Sequence, residues 1–238
     1  MHPYYMEKKA KLKNEMDGYL SLISEELEQE TGKPYKELLN EVWEYYEANM
    51  LENFPYIGGD KASGTKNLTG AYAYVALGVV CRKYGMTLER WGYLCVLSYQ
   101  RLFRKIPKFA RNLAGKLFGK TNLVIKMLRK KDAKNAANAA ENPGSFVTQV
   151  QEPTAEYPVI YHTKVCPLAD FAAKYGYNEY IPYICNLDYA MFGELNVPFY
   201  REHTCADGDG YCDFKMKSGA PVVPAWPCHA ADRNDPLK

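Results

Sequence analysis

The spacing of apolar residues changes near Gly144, and this change constrains the fold more than any other feature of the sequence. Before it, apolar residues recur every three or four positions, which predicts helices over residues 6–30, 68–84 and 87–103, a helix opened by Pro34, and a basic helix after Pro107. After it, residues 146–151 and 157–165 alternate and are rich in β-formers, which predicts a hairpin with its loop at residues 152–156.

The last hundred residues predict a second hairpin and two short helices. The hairpin pairs residues 197–204 with residues 211–217, and the helices cover residues 167–175 and 180–192. We therefore predict an α+β fold, in which a helical, bundle-like region (residues 1–144) precedes an α+β module (145–217) and an extended C-terminal tail (218–238). The small antiparallel sheet of two hairpins carries helices on one side. Residues 134–144, rich in Ala and Asn, are interpreted as a frayed helix end and a linker.

Composition is that of a globular protein. The chain has 238 residues, of which 47% are hydrophobic, so it can bury a core without disulfides. Its seven cysteines are odd in number and no secretory leader is recognisable, so we expect free thiols and a cytoplasmic location. No apolar run reaches the roughly 18 residues of a membrane span, so none is expected.

Residues 101–134 contain twelve Lys or Arg and a single acid, Asp132. Such a cluster can bind nucleic acid or acidic membranes, but it is more often a solvated helix face. Its aromatic residues, Phe103, Phe109 and Phe118, lie among other apolar residues and are interpreted as core-facing rather than base-stacking. We therefore expect no specific nucleic-acid partner.

The loop around Gly58 and Gly59 has neither P-loop nor dinucleotide-binding spacing. It is either a plain helix connection or a flexible backbone edge that contacts a small ligand together with Asn67. Farther along, Cys185 and Asp188 are three residues apart in a predicted helix and share one face. They offer a nucleophile and an acid or base for one pocket, or a buried cysteine beside a surface aspartate.

Residues 203–214 form the densest polar stretch of the chain. The spacing of a calcium loop is absent, and a tight turn explains the glycines. A zinc site would have to use Cys166, Cys185, His203 and Cys212, without any C-x-x-C pair, so we expect no metal and no cofactor. In the predicted strand, Cys212 and Phe214 lie on one face, and Tyr211, Asp213 and Lys215 lie on the other.

Four motifs together resemble the L-2-amino-thiazoline-4-carboxylate hydrolase family over residues 56–216. These are Tyr56-Ile57-Gly58-Gly59 with Asn67, then Val165-Cys166-Pro167, then Cys185-x-x-Asp188, and finally Arg201-x-x-Thr204-x-x-x-Gly208-Asp209-x-x-Cys212-Asp213-Phe214. The last motif also resembles the hairpin of small-molecule-binding domains of the vinyl-reductase type.

The resemblance implies a hydrolase that opens a small cyclic amidine, 2-aminothiazoline-4-carboxylate, to N-carbamoyl-cysteine. The residues it implicates in catalysis are Cys185, Asp188, Cys212 and Asp213. Those it implicates in substrate binding are Gly58, Gly59, Asn67, Cys166, Arg201, Thr204 and Asp209.

Within this set, we expect Asp188 and Asp213 to hold the amidinium and move protons. Cys185 is the first choice of nucleophile and Cys212 the second, and the planar fork of Arg201 suits a substrate carboxylate. The small molecule is the expected partner, with a homo-oligomer possible. The alternative is a binding or sensing module without turnover.

Overall fold

A computed structural model describes residues 1–118, 120–217 and 219–229. The N-terminal half is helical. Its helices are α1 (Pro3–Leu20), α2 (Ser24–Thr31), α3 (Tyr35–Tyr46), α4 (Ser63–Arg82), α5 (Leu88–Arg104), α6 (Lys108–Phe118) and α7 (Thr121–Glu141). A 3-10 turn at Ser21–Ile23 divides the predicted first helix into α1 and α2. Thr87 caps α5 as predicted, since its side chain accepts from the N–H of Arg90 at 3.1 Å.

The C-terminal half contains an antiparallel sheet and two helices. The strands are β1 (Val147–Val150), β2 (Val159–Val165), β3 (Phe199–Tyr200) and β4 (Cys212–Met216), and the helices are α8 (Pro167–Tyr175) and α9 (Ile181–Glu194). The strand order is β1-β2-β4-β3. Both predicted pairings are present, and β2 joins them by pairing with β4. The predicted α+β fold is therefore confirmed.

Pairing of β2 with β4 gives the sheet two different faces. Tyr161 lies opposite Phe214 and Thr163 opposite Cys212, so these four side chains share what we call the inner face. His162 lies opposite Asp213, so these two side chains share the outer face. The rings of Tyr161 and Phe214 stack with their centroids 4.3 Å apart.

The interpretation of residues 134–144 as a frayed end and linker is wrong, because α7 continues to Glu141 and packs on β1. Asp132 accepts from the backbone N–H of Val150 at 2.6 Å and from the hydroxyl of Thr148 at 2.7 Å. Asn135 donates to the same hydroxyl at 2.9 Å. Asparagine residues favour fraying in an isolated helix. In this protein Asn135 has a hydrogen-bond partner in β1, and that bond supports the end of α7.

The basic stretch covers the end of α5, α6 and most of α7. Phe109 does not face the core as the sequence suggested, since it is 76% exposed. Phe118 does pack inward, on Phe192 of α9. None of the described helices is long and apolar enough to cross a bilayer.

The tail is described over residues 219–229; position 218 and positions 230–238 lie outside the described residues. In the described part, Ala225 accepts a hydrogen bond from the side chain of Asn186 at 2.6 Å. Val223 and Ala225 are buried, so this segment packs against α9.

Glycine permits the close packing of α5 on α9. A Cβ added to Gly92 would lie 2.1 Å from Cδ1 of Tyr183, whereas a Cβ added to Gly18 in α1 would meet nothing within 4 Å. We expect Gly92→Ala to lower the free energy of unfolding by about 1–3 kcal/mol through overpacking. Gly18→Ala should raise it by roughly 0.5–1 kcal/mol, because alanine favours the helix.

Urea unfolding of the two variants measures this difference. Equal effects of the two substitutions would contradict the close approach of α5 to α9.

Candidate active site

A cavity of about 460 Å³ lies between helices α4, α5, α7 and α9 and the inner face of the sheet. Its sheet wall is formed by the inner-face residues of β2 and β4. Exposed side chains of Ser63, Lys66, Asn67 and Lys131 line its mouth. A cavity of this volume holds a small organic molecule.

Arg201 anchors the deep end of the cavity. Its side chain is 4% exposed, and Nη2 donates to Oδ2 of Asp188 at 2.6 Å. Nη1 donates to the carbonyl of Cys185 at 3.0 Å, and Nε donates to the carbonyl of Asp213 at 3.2 Å. Its guanidinium stands over the ring of Phe214 at 4.2 Å. Three of the five N–H donors of Arg201 are therefore occupied by the protein.

Asp188 is held by this contact and faces the cavity, with its side chain 33% exposed. Burial raises the pKa of Asp188, and the positive charge of Arg201 opposes that shift. Because Arg201 fixes one carboxylate oxygen, the orientation of the other is also fixed. This carboxylate can accept a hydrogen bond from a cationic ligand or take up a proton.

Cys212 has the most distinctive environment of the cavity cysteines. Hydrogen bonds from the thiols of Cys166 and Cys205 lower the pKa of Cys212, and the charge of Arg201 acts in the same direction. The backbone N–H of Cys205 also donates to its Sγ at 3.2 Å. The pKa values of Cys166 and Cys205 are raised by contact with the Cys212 sulfur and by burial, and the Cys205 thiol also donates to the carbonyl of Thr163 at 3.8 Å. Cys212 is therefore the cysteine of this cluster whose thiol ionises most readily.

Cys185 lines the same cavity, but burial raises the pKa of its thiol, and a neighbouring Cys212 thiolate raises it further. Cys185 therefore stays a neutral thiol. The sequence expectation preferred Cys185 as the nucleophile, whereas the pKa directions favour Cys212, because local donors rather than helix spacing decide which sulfur ionises more readily.

Asp213 does not reach the cavity, contrary to its predicted catalytic place. It is buried on the outer face, where its Oδ1 accepts from the N–H of Glu202 at 2.9 Å and of His203 at 2.7 Å. Its Oδ2 lies 3.2 Å from the ammonium of Lys215. Alternation along β4 places it opposite to Cys212, so the two side chains cannot meet in one site.

Thr204 and Asp209 form the turn after Arg201 rather than a part of the cavity wall. The hydroxyl of Thr204 accepts from the backbone N–H of Asp207 at 3.1 Å, and the backbone N–H of Thr204 donates to the carboxylate of Asp209 at 3.0 Å. These bonds hold the turn that carries Cys205 over the sulfur of Cys212. The two residues therefore support the cysteine cluster without lining the cavity.

The two glycines predicted to bind substrate also lie outside the cavity wall, although Asn67 lies at its mouth. Gly58 has φ 104° and a Cβ there would meet the side chain of Asn138, and a Cβ at Gly59 would meet the ring of Tyr4. Close packing therefore accounts for both glycines. This agrees with the plain helix connection, and neither glycine lines the cavity.

Of the four residues considered for zinc, the three cysteines line the cavity, whereas His203 does not and packs against Tyr211 at a centroid distance of 5.1 Å. In the part of the chain that the structure describes, no three His, Cys, Asp or Glu side chains are arranged to hold a metal ion.

Sequence reasoning missed Cys205 and the two lysines at the mouth, Lys66 and Lys131. Lys131 is one of many lysines in the basic stretch, so nothing in the sequence singles it out. It reaches the cavity mouth only because α7 packs against β1. The ammonium of Lys131 stands 5.8 Å from the centroid of the Tyr161 ring. The chain offered one signal for Cys205, its place in the turn just before the strand of Cys212.

The fold and the cavity define an α+β protein with a thiol and a carboxylate in one small-molecule cavity. The sequence pattern of the L-2-amino-thiazoline-4-carboxylic acid hydrolase family matches residues 100–216. This match supports the resemblance over the part of the chain that carries Arg201, Asp188 and the cysteine cluster. No curated protein and no solved structure matches the chain.

The cysteine cluster predicts selective alkylation of Cys212 by iodoacetamide, a reagent small enough to enter the cavity. At a pH roughly two units below the ordinary cysteine pKa of about 8.5, Cys212 should react while Cys95 stays unlabelled. Burial raises the pKa of Cys95, which makes it an internal control.

Removing a donor destabilises the thiolate, so Cys166→Ala should move the midpoint of the labelling curve to higher pH. Peptide mass spectrometry across a pH series measures both effects. An unchanged midpoint in Cys166→Ala would show that Cys166 does not stabilise the thiolate.

Proposed function

We propose that this protein is a hydrolase that opens a small cyclic amidine, with 2-aminothiazoline-4-carboxylate as the model substrate. One observation carries the proposal: a single cavity contains both the Cys212 sulfur and the Arg201–Asp188 ion pair. Neighbouring thiol and N–H groups donate to that sulfur. An electrophilic carbon bonded to nitrogen and sulfur requires a nucleophile and a partner for its amidinium, and these groups supply both.

The first step is attack by the Cys212 thiolate on the ring carbon that lies between nitrogen and sulfur. The carboxylate of Asp188 binds the amidinium, which keeps that carbon electrophilic and orients it toward the sulfur. As the new C–S bond forms, the bond from this carbon to the ring sulfur breaks, and its electrons go to the ring sulfur. Cys166 keeps its proton at neutral pH and can donate it to the departing sulfur.

The second step is hydrolysis of the resulting isothiouronium on Cys212. Water attacks the same carbon while Asp188 accepts a proton, and the bond to Cys212 breaks to regenerate the thiolate. The product is a urea, here an N-carbamoyl amino acid with a free thiol. This hydrolysis releases two protons. One returns to Cys166, and the other passes from Asp188 to solvent, so the net reaction releases the one proton that the amidinium carried.

The lysines at the mouth of the cavity are better placed than Arg201 to bind the substrate carboxylate. Three acceptors of the protein already occupy Arg201. Lys66 and Lys131 line the mouth, and neither pairs with a carboxylate among the described residues. We therefore assign the carboxylate to these lysines, and Arg201 positions Asp188.

Asp188→Asn tests the role of the carboxylate. The substitution preserves volume but removes the charge and the basicity, so kcat for ring opening should fall about a hundredfold or more. The matched control is Asp170→Asn on the exposed side of α8, which should leave kcat unchanged. Thermal melts establish that both variants are folded. Full turnover by folded Asp188→Asn would remove this residue from the mechanism.

Two cysteine variants test which sulfur attacks. Cys212→Ser should abolish measurable turnover, because a serine hydroxyl is not ionised at neutral pH, whereas Cys185→Ser should retain most of it. Steady-state kinetics with both variants measures the difference. The reverse ranking would restore Cys185 as the nucleophile.

The unmodified protein supplies a further outcome. If it binds cyclic amidines in calorimetry but turns none of them over, the proposed hydrolysis is wrong and the cavity is a binding module.

A further inference from the structure

The two helices of the basic stretch expose an unusual number of large apolar side chains. Among the described residues, ten large hydrophobic side chains are exposed, and six of them lie between positions 106 and 127. We call these six the α6–α7 apolar surface: Ile106, Phe109, Leu113, Leu117, Leu123 and Met127. Exposed apolar side chains concentrated in this way mark an interaction site rather than ordinary surface.

Helix α6 turns its apolar stripe away from the protein. Phe109, Leu113 and Leu117 recur every fourth residue and are 76%, 56% and 39% exposed. The other side of the helix is anchored, since Arg111 forms an ion pair with Glu194, and a Cβ at Gly115 would lie 2.5 Å from the carbonyl of Leu195. The exposed stripe is therefore fixed in its orientation.

Positive charge surrounds this surface. Besides Lys131 at the cavity mouth, seven exposed lysines lie between residues 105 and 134, and none pairs with a carboxylate in the part of the chain that the structure describes: Lys105, Lys108, Lys116, Lys120, Lys126, Lys130 and Lys134. The arginines of the same stretch behave differently, because Arg101 pairs with Glu26 and both Arg104 and Arg111 pair with Glu194. The lysine charges are thus available to a partner outside the chain.

We propose that the α6–α7 apolar surface binds the surface of an anionic lipid bilayer. An amphipathic helix with Phe and Leu on one face and Lys at its flanks lies in the membrane interface with its apolar side chains among the acyl chains. The lysines contact the anionic headgroups. A second copy of this surface is a poorer partner, because it would bring like charges together. Single-stranded nucleic acid is also a poorer partner, because its bases stack on aromatic side chains and this surface is mostly aliphatic.

The location of the surface gives membrane binding a consequence for the cavity. Leu123, Met127 and Lys131 recur every fourth residue of α7, and Lys131 lines the cavity mouth. A bilayer that contacts Leu123 and Met127 therefore lies one helical turn from the mouth. The proposal does not depend on the reaction in the cavity, so it stands or falls separately from the proposed hydrolysis.

Sedimentation with vesicles tests the proposal on the full chain. The partition coefficient for phosphatidylcholine vesicles that contain phosphatidylglycerol should exceed that for pure phosphatidylcholine by about tenfold or more, because several lysines contribute. High salt should weaken binding, since it screens the lysine charges. Equal binding to both vesicles, or binding to neither, would overturn the proposal.

Single substitutions locate the contact. Phe109→Ser should lower the partition coefficient for anionic vesicles by roughly tenfold, because a large apolar side chain no longer enters the bilayer. Its matched control is Met6→Ser, which removes another exposed hydrophobic side chain on α1 and should have no effect. Lys116→Glu should also weaken binding, and Lys36→Glu on α3 should not.

These outcomes separate the membrane from other partners. Equal effects of Phe109→Ser and Met6→Ser would contradict the assigned surface. A concentration-dependent dimer in sedimentation velocity that Phe109→Ser dissociates would assign the surface to a second copy. Tight binding of a DNA duplex at physiological salt, with no binding of vesicles, would assign it to nucleic acid. Each of these results overturns the proposal.

Discussion

Arg201 is a buried cation beneath the cavity, and the arrangement of the site depends on how its charge is satisfied. Its donors reach the Asp188 carboxylate and the Cys185 carbonyl on α9, and the Asp213 carbonyl on β4. The guanidinium therefore joins the helix wall of the cavity to its sheet wall. Removing Asp188 would leave a buried charge without a counterion, so the pair is stable only as a unit. The same pair fixes the orientation of the Asp188 carboxylate in the cavity.

The cysteines show how the surroundings of a side chain decide its chemistry. Cys185 and Cys212 line one cavity, yet burial keeps the first protonated while thiol and N–H donors favour the thiolate of the second. The turn held by Thr204 places Cys205 over the Cys212 sulfur. Thr204 thus supports the cysteine cluster without lining the cavity.

The period of the apolar residues was sufficient to predict the α+β fold and both strand pairings. It failed at residues 134–144, because the side chains of Asn135 and Asn138 bond to partners far along the chain, and such bonds leave no local signal. The alternation along β4 predicted that Asp213 and Cys212 point to opposite faces of the sheet. The family resemblance nevertheless implied that both lie in the site. Which cysteine ionises most readily could not be predicted, because the donors to Cys212 come from the residue that precedes α8 and from a turn that only the fold brings next to β4.

The central claim is that the Cys212 sulfur forms a bond to the ring carbon of a cyclic amidine. Rapid acid quenching of the protein with 2-aminothiazoline-4-carboxylate, followed by peptide mass spectrometry, tests this bond directly. Addition with ring opening expels no atom, so the account predicts that the peptide containing Cys212 gains the full mass of the substrate early in the reaction and loses it as product accumulates. Product formation with an unmodified Cys212 peptide at every quench time, or an adduct on Cys185, would contradict the account.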